Sequence, residues 1–222
     1  MDYRFERLPI GNLLCAVAGG IDACSYLLHG HVFAGLQTGN LILLGTEFEK
    51  MNLAKIARYS FSISMFLIGV VIIKLVQEIY QRHLTQPKIK IENLTIGYEI
   101  FWLLLAALLS GRIPDFTITG FLSLAASAQL QEFRLISGKP FTSLMMTGHL
   151  RKVADFGYTG FVHHQSSAAR RSIHNLEMLV CFVAGAIVTG VISQWLLTWS
   201  LIAPVAFLIL INVTISLRSH NQ

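Results

Sequence analysis

Apolar residues in this chain come in blocks of about 20, the length at which an α-helix crosses the hydrocarbon core of a bilayer. That block length constrains the fold more than any other feature. Six segments reach it, at about 9–29, 59–77, 94–111, 117–136, 176–199 and 201–217. Composition agrees, with 54% of the 222 residues hydrophobic and 13% charged, against about 25% charged for a soluble domain that must cover its surface. The chain reads as an all-α, polytopic membrane protein forming a single transmembrane domain over residues 1–222. Soluble-enzyme and nucleic-acid-binding classes are disfavoured.

The net charge of +5 is first a topology signal in such a protein, because cytoplasmic loops carry the excess of Lys and Arg. The loops are a charged stretch from Glu47 to Arg58, a polar one from Gln77 to Asn93 containing Pro87, a tight turn at Gly111–Asp115 and a long connection from Ser137 to Asn175. The last two spans meet near Ser200 and suit an antiparallel hairpin. With the N-terminus inside, thirteen of the 17 basic residues fall on inner loops and four (Lys50, Lys55, Arg58 and Arg112) on outer ones. Both termini are therefore expected in the cytoplasm. The segment Met1–Arg7 lacks the layout of a removed signal peptide, and Cys15, Cys24 and Cys181 read as buried thiols.

The first apolar region is too long for one span. It runs 38 residues from Leu8 to Gly45 and is expected to break at His29-Gly30-His31, leaving a piece of 14 residues from Val32 to Gly45 that suits a re-entrant or interfacial helix. The same anatomy recurs 109 residues later: Gly11 falls on Gly120, Thr38-Gly39-Asn40-Leu41 on Thr147-Gly148-His149-Leu150, Asp22 on Gln131, and the break at Gly30 on Ser137-Gly138-Lys139-Pro140. Three spans per copy oblige the second copy to enter the membrane from the opposite side. The expected fold is six transmembrane helices as two inverted three-helix repeats, about 9–111 and 117–217, each opening with an interrupted helix. In secondary transporters, interrupted segments at matching positions point to a site near the midplane.

Asp22 is the sharpest candidate, because an acid inside the bilayer is a functional hypothesis by default. Ser25, Tyr26 and His29 share its helical face. Thr38, Asn40, Gln131, Thr147 and His149 are the other candidates to line a solute-binding site, and packing alone is the competing role for such small and polar residues. Glu132 and Arg134 suit a solvated ion pair, while Lys74 and Glu99 are expected to reach towards a membrane surface. No zinc-ligand spacing, GxGxxG, Walker A or GxSxG element occurs, so no metal, cofactor or catalytic residue is assigned.

The run Gly19-Gly20-Ile21-Asp22-Ala23, followed by Gly30-His31-Val32-Phe33, Thr38-Gly39-Asn40-Leu41 and Leu44-Gly45, resembles the bacterial YoaK family of multi-spanning membrane proteins. The likeness extends through Gln131 and Thr147-Gly148. Where that family typically reads Met-Gly-x-Gln-Asn, this chain has Ala128, Gln129, Leu130, Gln131 and Glu132. The resemblance implies a bacterial inner-membrane location and about six spans, and it supplies no substrate or reaction. The leading expectation is a transporter or channel for a small solute or ion, with the lipid bilayer as its surroundings and no nucleic-acid partner. The alternative is a non-transporting scaffold or partner-binding protein. A lipid-directed enzyme using Asp22 and His29 is the weaker third reading.

Overall fold

The computed structural model describes residues 8–83, 90–136 and 139–220. Arg4, Arg7, Pro87, Lys88 and the Ser137-Gly138 part of the second break lie outside them. Among the described residues the regular structure is helical apart from a two-residue antiparallel pairing of Leu135–Ile136 with Lys139–Pro140. The helices are α1 (Leu8–Leu28), α2 (Gln37–Glu49), α3 (Leu53–His83), α4 (Ile91–Leu109), α5 (Asp115–Glu132), α6 (Met146–Val162), α7 (Ser166–Leu196) and α8 (Ile202–His220), with a short 3₁₀ turn Leu197–Leu201 joining the last two. The order of lengths repeats. A helix of 21 or 18 residues is followed by a shorter one of 13 or 17, then one of 31 and one of 19.

Four stretches are long and apolar enough to cross a membrane: Pro9–Leu28, Leu53–Arg82, Ile91–Leu109 and Ser166–Leu217, the last comprising α7 and α8. At 1.5 Å per residue α3 and α7 are each about 46 Å long, more than the roughly 30 Å hydrocarbon core. Helices take up sequence that reads as loop, since the charged stretch Glu47–Arg58 is divided between the end of α2 and the start of α3, and much of the Ser137–Asn175 connection is α6 and the start of α7. α5 is not among the four. It carries Thr119, Ser123, Ser127, Gln129 and Gln131, all buried, because it packs among α3, α4 and α1 and has little contact with lipid to select for apolarity.

The outward faces are apolar, with Leu67, Val71 and Leu75 on α3, Phe101, Leu104 and Leu108 on α4, and Val180, Val183 and Ile187 on α7 all exposed. An apolar surface this extensive is a liability in water and matches a lipid environment. The core behind it is formed by Leu14, Ile21, Ile96, Leu103, Ile118, Leu122, Leu208 and Ile211, each with almost no exposure.

α1 packs against α7, and α5 packs against α3, so each first helix lies on the long helix of the other half. α8 sits chiefly on α1 and α4 rather than on its hairpin neighbour α7. The α1–α7 approach is close because Ala16, Gly19 and Gly20 meet Phe182, Gly185 and Thr189, and small residues let membrane helices pack backbone against backbone. A methyl group on Gly185 would overlap the Ala16 carbonyl oxygen, and one on Gly19 would overlap that of Phe182. Gly185→Ala is expected to destabilise the folded protein by about 1–3 kcal/mol, the usual penalty of overpacking, read as a lower unfolding midpoint in detergent. Gly45→Ala, whose added methyl group meets nothing within 4 Å, is expected to leave the midpoint at or above the parent value.

Candidate functional site

α1 ends at Leu28 because the chain turns left-handed at Gly30 (φ 75°) and His31 (φ 58°), which terminates a helix and reverses its course. Residues 29–36 form a return segment and the chain re-enters helix at Gln37. Backbone groups in such a segment have no helical partners and are buried away from water, so side chains must satisfy them. Three do. Ser25 Oγ donates to the Val32 carbonyl at 2.7 Å. Asn40 accepts from the Phe33 amide with Oδ1 at 2.9 Å and donates through Nδ2 to the Phe33 carbonyl at 2.7 Å. Asp22 Oδ1 accepts the Gly35 amide at 2.7 Å and, more distantly, the Leu36 amide at 3.5 Å.

The Asp22 contact is a cap supplied from another helix. Leu36, at the N-cap of α2, makes no side-chain capping bond of its own, and the amides at a helix N-terminus favour a carboxylate electrostatically. Asp22 is 6% exposed. Its second oxygen, Oδ2, is buried without a hydrogen-bond partner. Asn40 also donates to Ser62 Oγ on α3 at 3.2 Å, and Ser62 bonds Ser123 on α5 at 2.8 Å. A polar seam thus runs from the α2 terminus across to α5.

The second return segment is held by different chemistry in a similar pattern. His149 Nε2 lies 3.0 Å from the Thr142 carbonyl, seven residues back, as Asn40 reaches Phe33 seven residues back. His149 Nδ1 lies 2.9 Å from Asn175 Oδ1 on α7, as Asn40 reaches Ser62 on α3. Gln129, on α5, accepts from Ser143 Oγ at 3.1 Å and donates to the Leu14 carbonyl of α1 at 3.0 Å. The two return segments touch, with Gly35 packed against the Leu144 side chain.

Asp22, Asn40 and His149 are buried and bonded to the two return segments. Thr38 and Thr147 are exposed, because each stands two residues from its Asn or His and so faces about 200° away around the helix. Gln131 is buried in a separate network at the far end of α5: it donates to Gln77 Oε1 at 3.0 Å, accepts from Arg134 Nη2, and Gln77 donates to Glu132 Oε2 at 2.7 Å. Gln129, two residues earlier, is the α5 side chain that reaches the second return segment. It is absent from the candidates that the sequence suggested. Tyr26 stacks on Phe33 with 4.8 Å between ring centroids. His29 is buried and bridges Asp115 Oδ1 at 3.2 Å to Thr198 Oγ1 at 3.1 Å, tying the end of α1 to the start of α5 and the α7–α8 turn. Glu99 reaches no membrane surface. It is fully buried.

The profile of the family described as "Protein of unknown function (DUF1275)" matches residues 10–214. The chain is 23% identical over 221 residues to the UPF0700 transmembrane protein YoaK of Bacillus subtilis (strain 168), covering 97% of each chain. No solved structure matches. Asn40→Ala removes both contacts to Phe33 and leaves its amide without a partner, while Ser62 Oγ still donates to the Phe33 carbonyl at 3.2 Å, so a loss of about 1–3 kcal/mol for the one orphaned group is expected. Hydrogen exchange should show the Phe33 amide exchanging faster in Asn40→Ala and unchanged in Thr38→Ala.

Proposed function

The chain belongs to the DUF1275 family of membrane proteins, and from that premise we propose that it is an inverted-repeat transporter or channel for a small solute or ion. The repeats are α1–α4 and α5–α8, each a first helix interrupted by a return segment and two further spans. Four observations support this reading: the repeating order of helix lengths, the reciprocal packing of α1 on α7 and α5 on α3, the matching reach of Asn40 and His149 over seven residues, and the contact of Gly35 with Leu144. In this arrangement the two return segments abut, which is the geometry of a site closed to both sides. The Lys and Arg distribution supports a bacterial inner-membrane location with both termini in the cytoplasm.

The observation that carries the reading is the half-satisfied state of Asp22. One carboxylate oxygen holds the α2 terminus and the other is buried with no partner, so the residue retains capacity for a cation or a solute donor group next to a helix break. Asn40 and His149 flank the same segments, with Thr38, Gln131 and Thr147 as the further proposed lining residues once the halves separate. Bonding of Asp22 to backbone amides favours a second reading, a non-transporting scaffold in which the acid serves only as a cap.

Asp22→Asn separates the two, because the Asn carbonyl oxygen can still accept from Gly35 while the charge is gone. The purified protein, reconstituted in liposomes, is to be screened for uptake of amino acids, organic ions and metal ions under an imposed proton gradient. The transporter reading expects an uptake signal that Asp22→Asn abolishes while abundance and gel-filtration profile stay normal. Uptake that survives the change removes the assigned role of Asp22, and no uptake from any of the three classes favours the scaffold.

A further inference from the structure

Glu99 lies in the middle of α4 and is fully buried, on a face shared with Ile96, Leu103 and Ala106, which are also fully buried. Neither of its carboxyl oxygens has a hydrogen-bond partner. One turn earlier on the same face, Thr95 is 1% exposed, and its hydroxyl is likewise unpartnered. Glu92, in the first turn of α4, precedes Thr95 by three residues and Glu99 by seven, so the three side chains form one stripe from the helix terminus into the core.

The two helices that pack most on this stripe, α5 and α8, bring no opposite charge to its buried part. α8 packs against α4 antiparallel, pinned by Ser110 to Thr198 at one end (2.6 Å) and Asn93 to Ser216 at the other (3.0 Å). It has no acidic or basic residue between Ile202 and Leu217. Its Asn212, one turn before Ser216, stands at the depth of the Thr95–Glu99 turn with an unpartnered Oδ1. α5 carries ionisable groups only at its ends, Asp115 and Glu132, and the 3₁₀ turn Leu197–Leu201 carries none. α3, which has few contacts with α4, carries Lys74, Glu78, Tyr80 and Arg82 in its C-terminal third, and α4 itself adds Glu92 and Tyr98, with Lys90 at its N-cap.

A bare carboxylate in such surroundings is strongly unfavourable. A metal ion would want about six oxygens, far more than Glu99, Thr95 and Asn212 offer. The ligand that needs least is a proton, held on one carboxyl oxygen. We propose that Glu99 and Thr95 form a proton-binding site inside the bilayer, separate from Asp22, which exchanges with water along the Glu92 stripe. Its occupancy does not depend on whether the protein transports a solute.

The test uses dicyclohexylcarbodiimide, an apolar reagent that adds to protonated carboxyl groups in apolar surroundings and leaves a stable N-acylurea. The full-length protein in liposomes is labelled between pH 6 and pH 9, and the adducts are located by peptide mass spectrometry. The proposal expects an adduct on Glu99 whose yield falls as the pH is raised, with Thr95→Val shifting that profile and Glu99→Gln unlabelled. The wild-type profile alone decides the matter if Glu99→Gln fails to fold. Absence of an adduct on Glu99 at every pH overturns the proposal, and so does labelling equal at pH 6 and pH 9, which would make Glu99 a permanently neutral core residue. Protection by Na⁺ or K⁺ at constant pH also overturns it, by assigning the site to a metal ion.

Discussion

Everything in this fold depends on how backbone groups are satisfied where two helices break inside a low-dielectric core. A continuous span satisfies its own amides and carbonyls; a broken one leaves several exposed to surroundings that offer no water. The chain resolves this with side chains from neighbouring helices. Asp22, Ser25 and Asn40 satisfy backbone groups of residues 32–36 and His149 meets the Thr142 carbonyl, while Gln129 takes the Ser143 hydroxyl. Because these donors and acceptors sit on α1, α2, α5 and α6, the breaks also fix how those helices sit relative to one another.

The same constraint explains which helices approach closely. α1 must come near enough to the chain returning from its own break for a short Asp side chain to reach Gly35, and on its other side Gly19 and Gly20 let it lie directly on α7. α5 and α3 meet through Gly69 and Ser127 in a comparable way. Lipid-facing positions carry no such demand and are filled by large apolar side chains such as Leu67, Phe101 and Val183.

Much of this is legible in the sequence. Block length gives the four stretches long and apolar enough to cross a membrane, Gly30 marks the first break, and the offset of 109 residues pairs Asn40 with His149, whose contacts do correspond. Three things are not legible for physical reasons. Helix ends are set where polar turns can project beyond the bilayer, so α3 and α7 run longer than their apolar cores. The offset pairs Asp22 with Gln131, yet the second return segment is reached by Gln129, because a difference of two residues turns a side chain to another face of the helix. Glu99 looks in sequence like Lys74, a charge near a span end able to snorkel. Only packing distinguishes the two, since Lys74 is exposed and Glu99 is enclosed by α5 and α8. The hint available beforehand was that Glu99 shares its helical face with Ile96, Leu103 and Ala106.

The central claim is that the two halves enter the membrane from opposite sides. Met51, between α2 and α3, and His164, between α6 and α7, are exposed residues at corresponding turns, with φ of 52° and 51°. In a background lacking Cys15, Cys24 and Cys181, a single cysteine placed at either position can be probed with a membrane-impermeant maleimide in right-side-out and inverted vesicles. The account expects Met51→Cys to react only from the outer side and His164→Cys only from the cytoplasmic side. Labelling of both from the same side would contradict it.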